Sequence, residues 1–193
     1  MNKQREKFEL FLKGRPSERD IASYIGNDLT LMASALANPS DEYIIFKEFQ
    51  LTPSDQIDFV IFTSRSKLSV IFVEIKGAEF DFLLKDGTAH STIKKAIDQV
   101  AERFEYPRKD YRRFHSEVHS LKQRVEKGEQ IHQSIKNGYL DVSAEKEVVY
   151  SGVAIGGTEL DDIKESCVRD RLTHYGKHYI TCHSWQSFCR TML

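Results

Sequence analysis

The chain has 193 residues, of which 40% are hydrophobic and 30% charged, with a formal net charge of −1. Those values suit one globular domain with a substantial core and supply no global field to draw in a polyanion. No apolar run approaches the roughly 20 residues of a membrane span, and residues 1–14 lack a signal-peptide core. Three cysteines without a Cys-x-x-Cys spacing suit reduced thiols in a cytoplasmic protein rather than a disulfide frame or a zinc site.

In chain order, residues 3–13 predict a short amphipathic helix with Phe8, Phe11 and Leu12 on one face, ended by Gly14. Ser17 is placed to cap a second helix in which Ile21, Tyr24 and Ile25 recur at helical spacing. Glu18 and Asp20 stand in its first turn, where the dipole favours acids. Asn38-Pro39-Ser40 breaks the chain ahead of three runs rich in Val, Ile and Phe, at 43–51, 57–63 and 68–76. Short connections between them predict an antiparallel meander. Asp86-Gly87 marks a turn, and Ser91 or Thr92 is expected to cap a helix with the apolar stripe Ile93, Ile97, Val100 and Phe104.

Tyr106-Pro107 interrupts that helix, and a charged helical stretch follows over 109–127. The segment 107–140 is thinly hydrophobic and is expected to project from the core or to pack against a partner subunit. A strand over 147–157 ends in Gly156-Gly157, which suits a turn better than a phosphate loop. A helix over 160–175 would turn Leu160, Ile163, Cys167, Leu172 and Tyr175 inward and stop at Gly176. A short strand over 178–182 and a last helix capped by Ser184 complete the chain. That helix carries Trp185, Phe188, Cys189 and Met192 on one face, and Trp185 and Phe188 are expected at a contact between identical subunits. Four histidine and cysteine side chains near the end, His174, His178, Cys182 and His183, lack a zinc-finger spacing. The expected fold class is α/β, with α and β elements mixed around one sheet.

The chemistry concentrates between Gln56 and Ala78. Asp58 enters one strand, and Glu74 and Lys76 lie two apart near the end of the next, so they share a face while Val73 and Ile75 point to the other. Glu-x-Lys alone is common as an exposed ion pair on a strand. Here, however, all three charges interrupt apolar runs, where ionised groups need a partner or a metal. Asp58 and Glu74 can offer hard carboxylate oxygens, and the Ile75 carbonyl a third oxygen, to Mg²⁺. Lys76 can orient water and stabilise charge on a phosphate. No phosphate loop, nucleophile elbow or dinucleotide fingerprint points to a small-molecule enzyme or a nucleotide cofactor. Between residues 90 and 137, 11 Lys and Arg stand against 7 Asp and Glu. Within that basic segment, Lys95, Arg103, Arg108, Lys109, Arg112 and Arg113 are candidates for phosphate contacts.

The order Asp, Glu-x-Lys, glutamine-bearing helix and β-α-β tail resembles the PD-(D/E)xK restriction-endonuclease-like core. Within it the chain is similar to the Shedu nuclease family of bacterial anti-phage defence proteins. The matching stretches are PSERDIASYIG, IDFVIF, FVEIKG, AIDQVAERFEY, VAIGG, RDRL and HSWQSF. The resemblance covers residues 15–193, with 1–14 as a preceding helix and 107–140 as a helical insertion. It implies a Mg²⁺-dependent endonuclease, with Mn²⁺ able to substitute, that nicks double-stranded DNA and assembles as a homodimer or homotetramer. It assigns Asp58 and Glu74 as metal ligands, Lys76 as the catalytic lysine, Gln99 as the helical glutamine beside the site, and Glu18 as a supporting acid. Relatives carry a basic residue and a proline after the lysine where this chain has Gly77-Ala78. A restriction or repair endonuclease or a junction resolvase would use the same core, and an inactive DNA-binding scaffold would keep the fold without the chemistry.

Overall fold

The computed structural model describes residues 3–52, 55–173 and 179–192. Its elements are α1 (Lys3–Leu12), α2 (Glu18–Asn27), α3 (Thr30–Leu36), β1 (Tyr43–Thr52), β2 (Asp55–Thr63), β3 (Leu68–Ile75), α4 (Ser91–Arg103), α5 (Glu105–Lys109), α6 (Tyr111–Glu126), β4 (Ile135–Asn137), β5 (Val148–Ile155), α7 (Asp162–Thr173), β6 (Ile180–His183) and α8 (Trp185–Thr191). The strands form one mixed sheet in the order β4-β1-β2-β3-β5-β6. β1, β2 and β3 pair antiparallel as a meander, whereas β5 runs parallel to both β3 and β6.

Both faces of the central strands are covered, which is why β2 and β3 read as nearly unbroken apolar runs. One face carries Phe46, Val60, Phe62, Val70 and Phe72 and packs on Ile93, Ile97, Val100 and Phe104 from α4 and its end. The other carries Ile45, Phe59, Ile61, Val73 and Ile75 and packs on Phe8, Ile21, Ile25, Met32, Trp185 and Phe188 from α1, α2, α3 and α8. The alternation puts Glu74 on the α4 side, because Val73 and Ile75 both belong to the opposite core.

Four expectations need correction. The insertion does not project: Phe114, Val118 and Val125 of α6 are buried against the same sheet face as α4. Their stripe at helical spacing is sufficient to dock a helix that is otherwise highly charged. The segment after α6 adds β4 to the free edge of β1. Trp185 and Phe188 are fully buried within the chain itself, with Trp185 edge-on to Phe8 and Phe188. Helix α7 turns only part of its predicted stripe inward: Leu172 packs against the core, whereas Leu160, Ile163 and Cys167 are exposed, and Glu165 and Val168 are buried in their place. Arg169 and Arg190 gather Glu159, Asp162 and Glu165 beneath α7, and this ionic network replaces the expected apolar seam. Finally, neither Ser91 nor Thr92 caps α4; the ring nitrogen of His90 accepts from the Thr92 amide. The expected contributions of Tyr175 and Gly176 lie outside the described residues.

Candidate active site

Asp58 and Glu74 meet where the β2–β3 ladder ends. The last paired residues are Phe59 and Val73, so Asp58 and Glu74 stand one step beyond them on facing strands. There the Asp58 carboxylate accepts the Ile75 amide at 2.8 Å, serving the strand amide at the end of the ladder. β3 is pinned on its other edge as well. The Lys76 amide donates to the Ile155 carbonyl, and the Trp185 indole N–H donates to the Lys76 carbonyl at 2.8 Å. Glu74, Ile75 and Lys76 are therefore held by hydrogen bonds on both sides.

Glu18 reaches this point because the segment before α2 docks on the loop after β3. The Ala78 amide donates to the Pro16 carbonyl, and Arg15 donates to the carbonyls of Ala78 and Glu79 while pairing with Asp81. Ser17 and Asp20 then close a capping box that starts α2 at Glu18. A Cβ at Gly77 would stand 2.9 Å from the Glu18 amide nitrogen, and one at Gly156 would stand 2.7 Å from the Lys76 Cβ. These glycines leave room for the N-terminus of α2 and for the lysine stem. The Glu18 carboxylate lies 3.4 Å from the Lys76 ammonium.

Helix α4 supplies the third wall. Its buried face is Ile93, Ala96, Ile97 and Val100, which leaves Lys95, Gln99 and Arg103 along another. Glu18, Lys76, Thr92, Lys95, Asp98, Gln99 and Glu102 line an open cleft of about 520 Å³. The side-chain oxygen of Gln99 is buried without a hydrogen-bond partner. Arg103 donates to the Gln56 carbonyl at 3.2 Å and brings its Nε to 3.7 Å from Glu74 Oε1. Gln99, predicted to stand beside the site, thus shares a cleft with Lys76 and Glu18. Arg103, expected among the phosphate contacts, lies against the buried acid.

Burial pushes the Glu74 carboxyl up to about 8, and the charge of Asp58 adds to the rise; Lys76 and Arg103 oppose it. Burial also raises Glu18, with the Lys76 ammonium pulling the other way. Glu74 is only 3% exposed, and its Oε1 accepts no hydrogen bond. A buried carboxylate oxygen left in this condition is costly unless a cation takes it up. Among the described residues no group of three or more His, Cys, Asp and Glu is gathered to hold a metal ion. The donors on offer are thus two carboxylates and the Ile75 carbonyl, all hard oxygens, which suit Mg²⁺ with retained waters rather than a soft or imidazole-bound ion.

The other basic candidates divide by their partners. Lys95 lines the cleft, and Lys109 and Arg112 are exposed at the α5–α6 junction. Arg108 is paired with Glu105 at 2.7 Å and Arg113 with Glu117 at 2.8 Å. Arg15, which fixes the backbone around Ala78, was not picked out from sequence, and Trp185, which fixes the Lys76 carbonyl, was expected at a subunit contact rather than beside the site. Their partners at the site lie far away in the chain.

A family model described as Shedu protein SduA, C-terminal, matches residues 15–188. No curated protein and no solved structure matches the chain.

Proposed function

The chain belongs to the Shedu protein SduA C-terminal family, and from that premise we propose that it is a divalent-metal-dependent DNA endonuclease of anti-phage defence built on a PD-(D/E)xK core. The observation that carries the reading is Asp58 and Glu74 facing each other at the open end of β2 and β3, with Lys76 next on the same strand face and Glu74 buried with an unserved oxygen. The meander followed by parallel β5 and β6 is compatible with such a core and supports the reading.

Asp58, Glu74 and the Ile75 carbonyl would hold Mg²⁺, or Mn²⁺ in its place. When bound, the ion supplies the positive charge and Lewis acidity that a phosphodiester requires for attack by water. The chain's own side chains do the rest. Lys76 holds the attacking water and stabilises charge developing on the phosphate. Glu18 fixes the Lys76 ammonium at the cleft wall, and the carboxamide of Gln99 fixes the orientation of groups entering the cleft. Lys95 holds a neighbouring phosphate of the strand, and Lys109 and Arg112 extend the basic track along the duplex.

The substrate is double-stranded DNA, and one such site cuts one strand, so nicking is the expected product. The working unit is a homodimer or homotetramer, since a 22.3 kDa subunit offers little surface to hold a duplex. No described helix is long and apolar enough to cross a membrane. The test is pure protein with supercoiled plasmid and Mg²⁺, with and without EDTA. Conversion to open circle only with the metal supports the reading, and plasmid left supercoiled across protein and metal concentrations counts against it. Light scattering on the same preparation gives the subunit number.

A further inference from the structure

Glu74 is the most deeply buried acid of the candidate site, with 4% of its side chain exposed, and Arg103 beside it is also largely buried at 13%. Such a pair normally closes to a hydrogen bond, because desolvating two ions is recovered only at short range. Here Nε and Oε1 stop at 3.7 Å, and Oε1 accepts no hydrogen bond at all. The guanidinium is held back by its bond to the Gln56 carbonyl at 3.2 Å, from the strand that carries Asp58. It therefore sets a positive charge against Glu74, opposing the burial that favours the protonated acid, while leaving the oxygen's lone pairs open.

We propose that Arg103 is the resident counter-ion of Glu74: it compensates the carboxylate before a divalent cation arrives, and the cation must work against it to bind. This rests on the nuclease reading above and concerns the regulation of that same site. A unit positive charge within a few ångströms of a ligand oxygen repels an incoming divalent ion strongly where water is sparse. Cation entry then pushes the guanidinium off Glu74. It remains on the helix face shared with Lys95 and Gln99, directed to the phosphate instead. The site is thereby kept from loading fully until DNA supplies a second reason for Arg103 to move, which makes metal and DNA binding mutually reinforcing.

Calorimetric Mn²⁺ titration of the protein without DNA, run above pH 8 so that Glu74 is ionised, tests the idea. Arg103→Gln, which keeps a donor for Gln56 but no charge, should bind Mn²⁺ about tenfold more tightly than wild type. The same variant should lose most of the gain in Mn²⁺ affinity that an uncleavable DNA duplex gives the wild type. Arg103→Lys, with the charge retained, should stay within about twofold of wild type for Mn²⁺. A folded Arg103→Gln that binds Mn²⁺ equally or more weakly overturns the proposal while leaving the nuclease reading standing. A wild type that takes up no Mn²⁺ and leaves plasmid uncut overturns both. Should Arg103→Gln not fold, the wild type decides: its Arg103 Nε–H resonance must shift as Mg²⁺ saturates, and an unmoved resonance sinks the proposal.

Discussion

Glu18 and Lys76 are 58 positions apart in the chain, and their charged ends lie 3.4 Å apart. A first-turn glutamate is fully accounted for by the helix dipole, so its sequence position alone says little. The docking of Arg15 and Pro16 on the loop after β3 aims it at the lysine. With 13% of its side chain exposed, Lys76 has few rotamers open to it, and Glu18 selects one of them. Glu18→Gln should keep the fold and the capping box yet slow plasmid nicking about tenfold, as loss of an orienting partner does. A variant that nicks at the wild-type rate would leave Glu18 with the dipole role alone.

Asp58→Ala, Glu74→Ala and Lys76→Ala should each abolish nicking, by about a thousandfold or more, since each removes charge from the proposed phosphate site. Circular dichroism should find them folded, with Asp58→Ala losing most stability because it also leaves the Ile75 amide without its acceptor. Gln99→Ala should fall only about 10- to 100-fold. Wild-type nicking by folded Lys76→Ala would remove the lysine from the mechanism.

The raised acids make a thermal prediction. Glu74 rises from an ordinary 4.5 to about 8 and Glu165 to about 7, in both cases chiefly through burial. Between 4.5 and these values the folded protein keeps protons that the unfolded chain has released. Their contribution is complete below pH 4.5 and is lost as pH rises toward 8, at up to about 1.4 kcal/mol per pH unit for each group. In EDTA, Tm should therefore fall from pH 5 to pH 8, and Glu74→Gln should flatten the slope. Saturating Mg²⁺ should reverse the trend near pH 8, because only the ionised carboxylate binds it. A Tm in EDTA that climbs across this window would contradict the placement of both acids.

The insertion can be tested for its structural role. Phe114 is buried on α6 with Phe72, Tyr106 and Tyr150 around it. Phe114→Ala should cost about 3–5 kcal/mol of unfolding free energy. A projecting arm would tolerate it, so a midpoint in urea unchanged from wild type would restore the original expectation.

The meander was legible because β2 and β3 combine β-branched and aromatic runs with a tight connection, and the gathering of Asp58, Glu74 and Lys76 in one candidate site was legible because three charges interrupt those runs. What sequence concealed was set at long range. The stripe Phe114, Val118, Val125 is diluted by eight charged or imidazole residues in the span from Arg112 to Glu126, both included, so composition masked a core helix. In α7 the expected positions Ile163 and Cys167 point outward, and Arg169 and Arg190 come together only through the approach of α8. Arg103 looked like one more cation on a basic helix until β2 and β3 placed Gln56 and Glu74 within its reach.

Duplex binding should sort the basic residues by what already holds them. Lys95 stands in the cleft wall, and Arg112 is exposed near the start of α6. Arg113 and Arg108 each already hold a carboxylate from the neighbouring turn. A phosphate contact from the first two releases counterions without breaking an ion pair, whereas the second two must exchange one partner for another. Measured by fluorescence anisotropy in EDTA between about 50 and 200 mM salt, wild-type affinity should fall steeply, and Lys95→Ala and Arg112→Ala should each reduce the log–log slope by about 1. Arg108→Ala and Arg113→Ala should change it by less than half as much. Affinity that stays flat over this range, or slopes altered equally by all four substitutions, would mean that the duplex lies on a different face from the α4–α6 track.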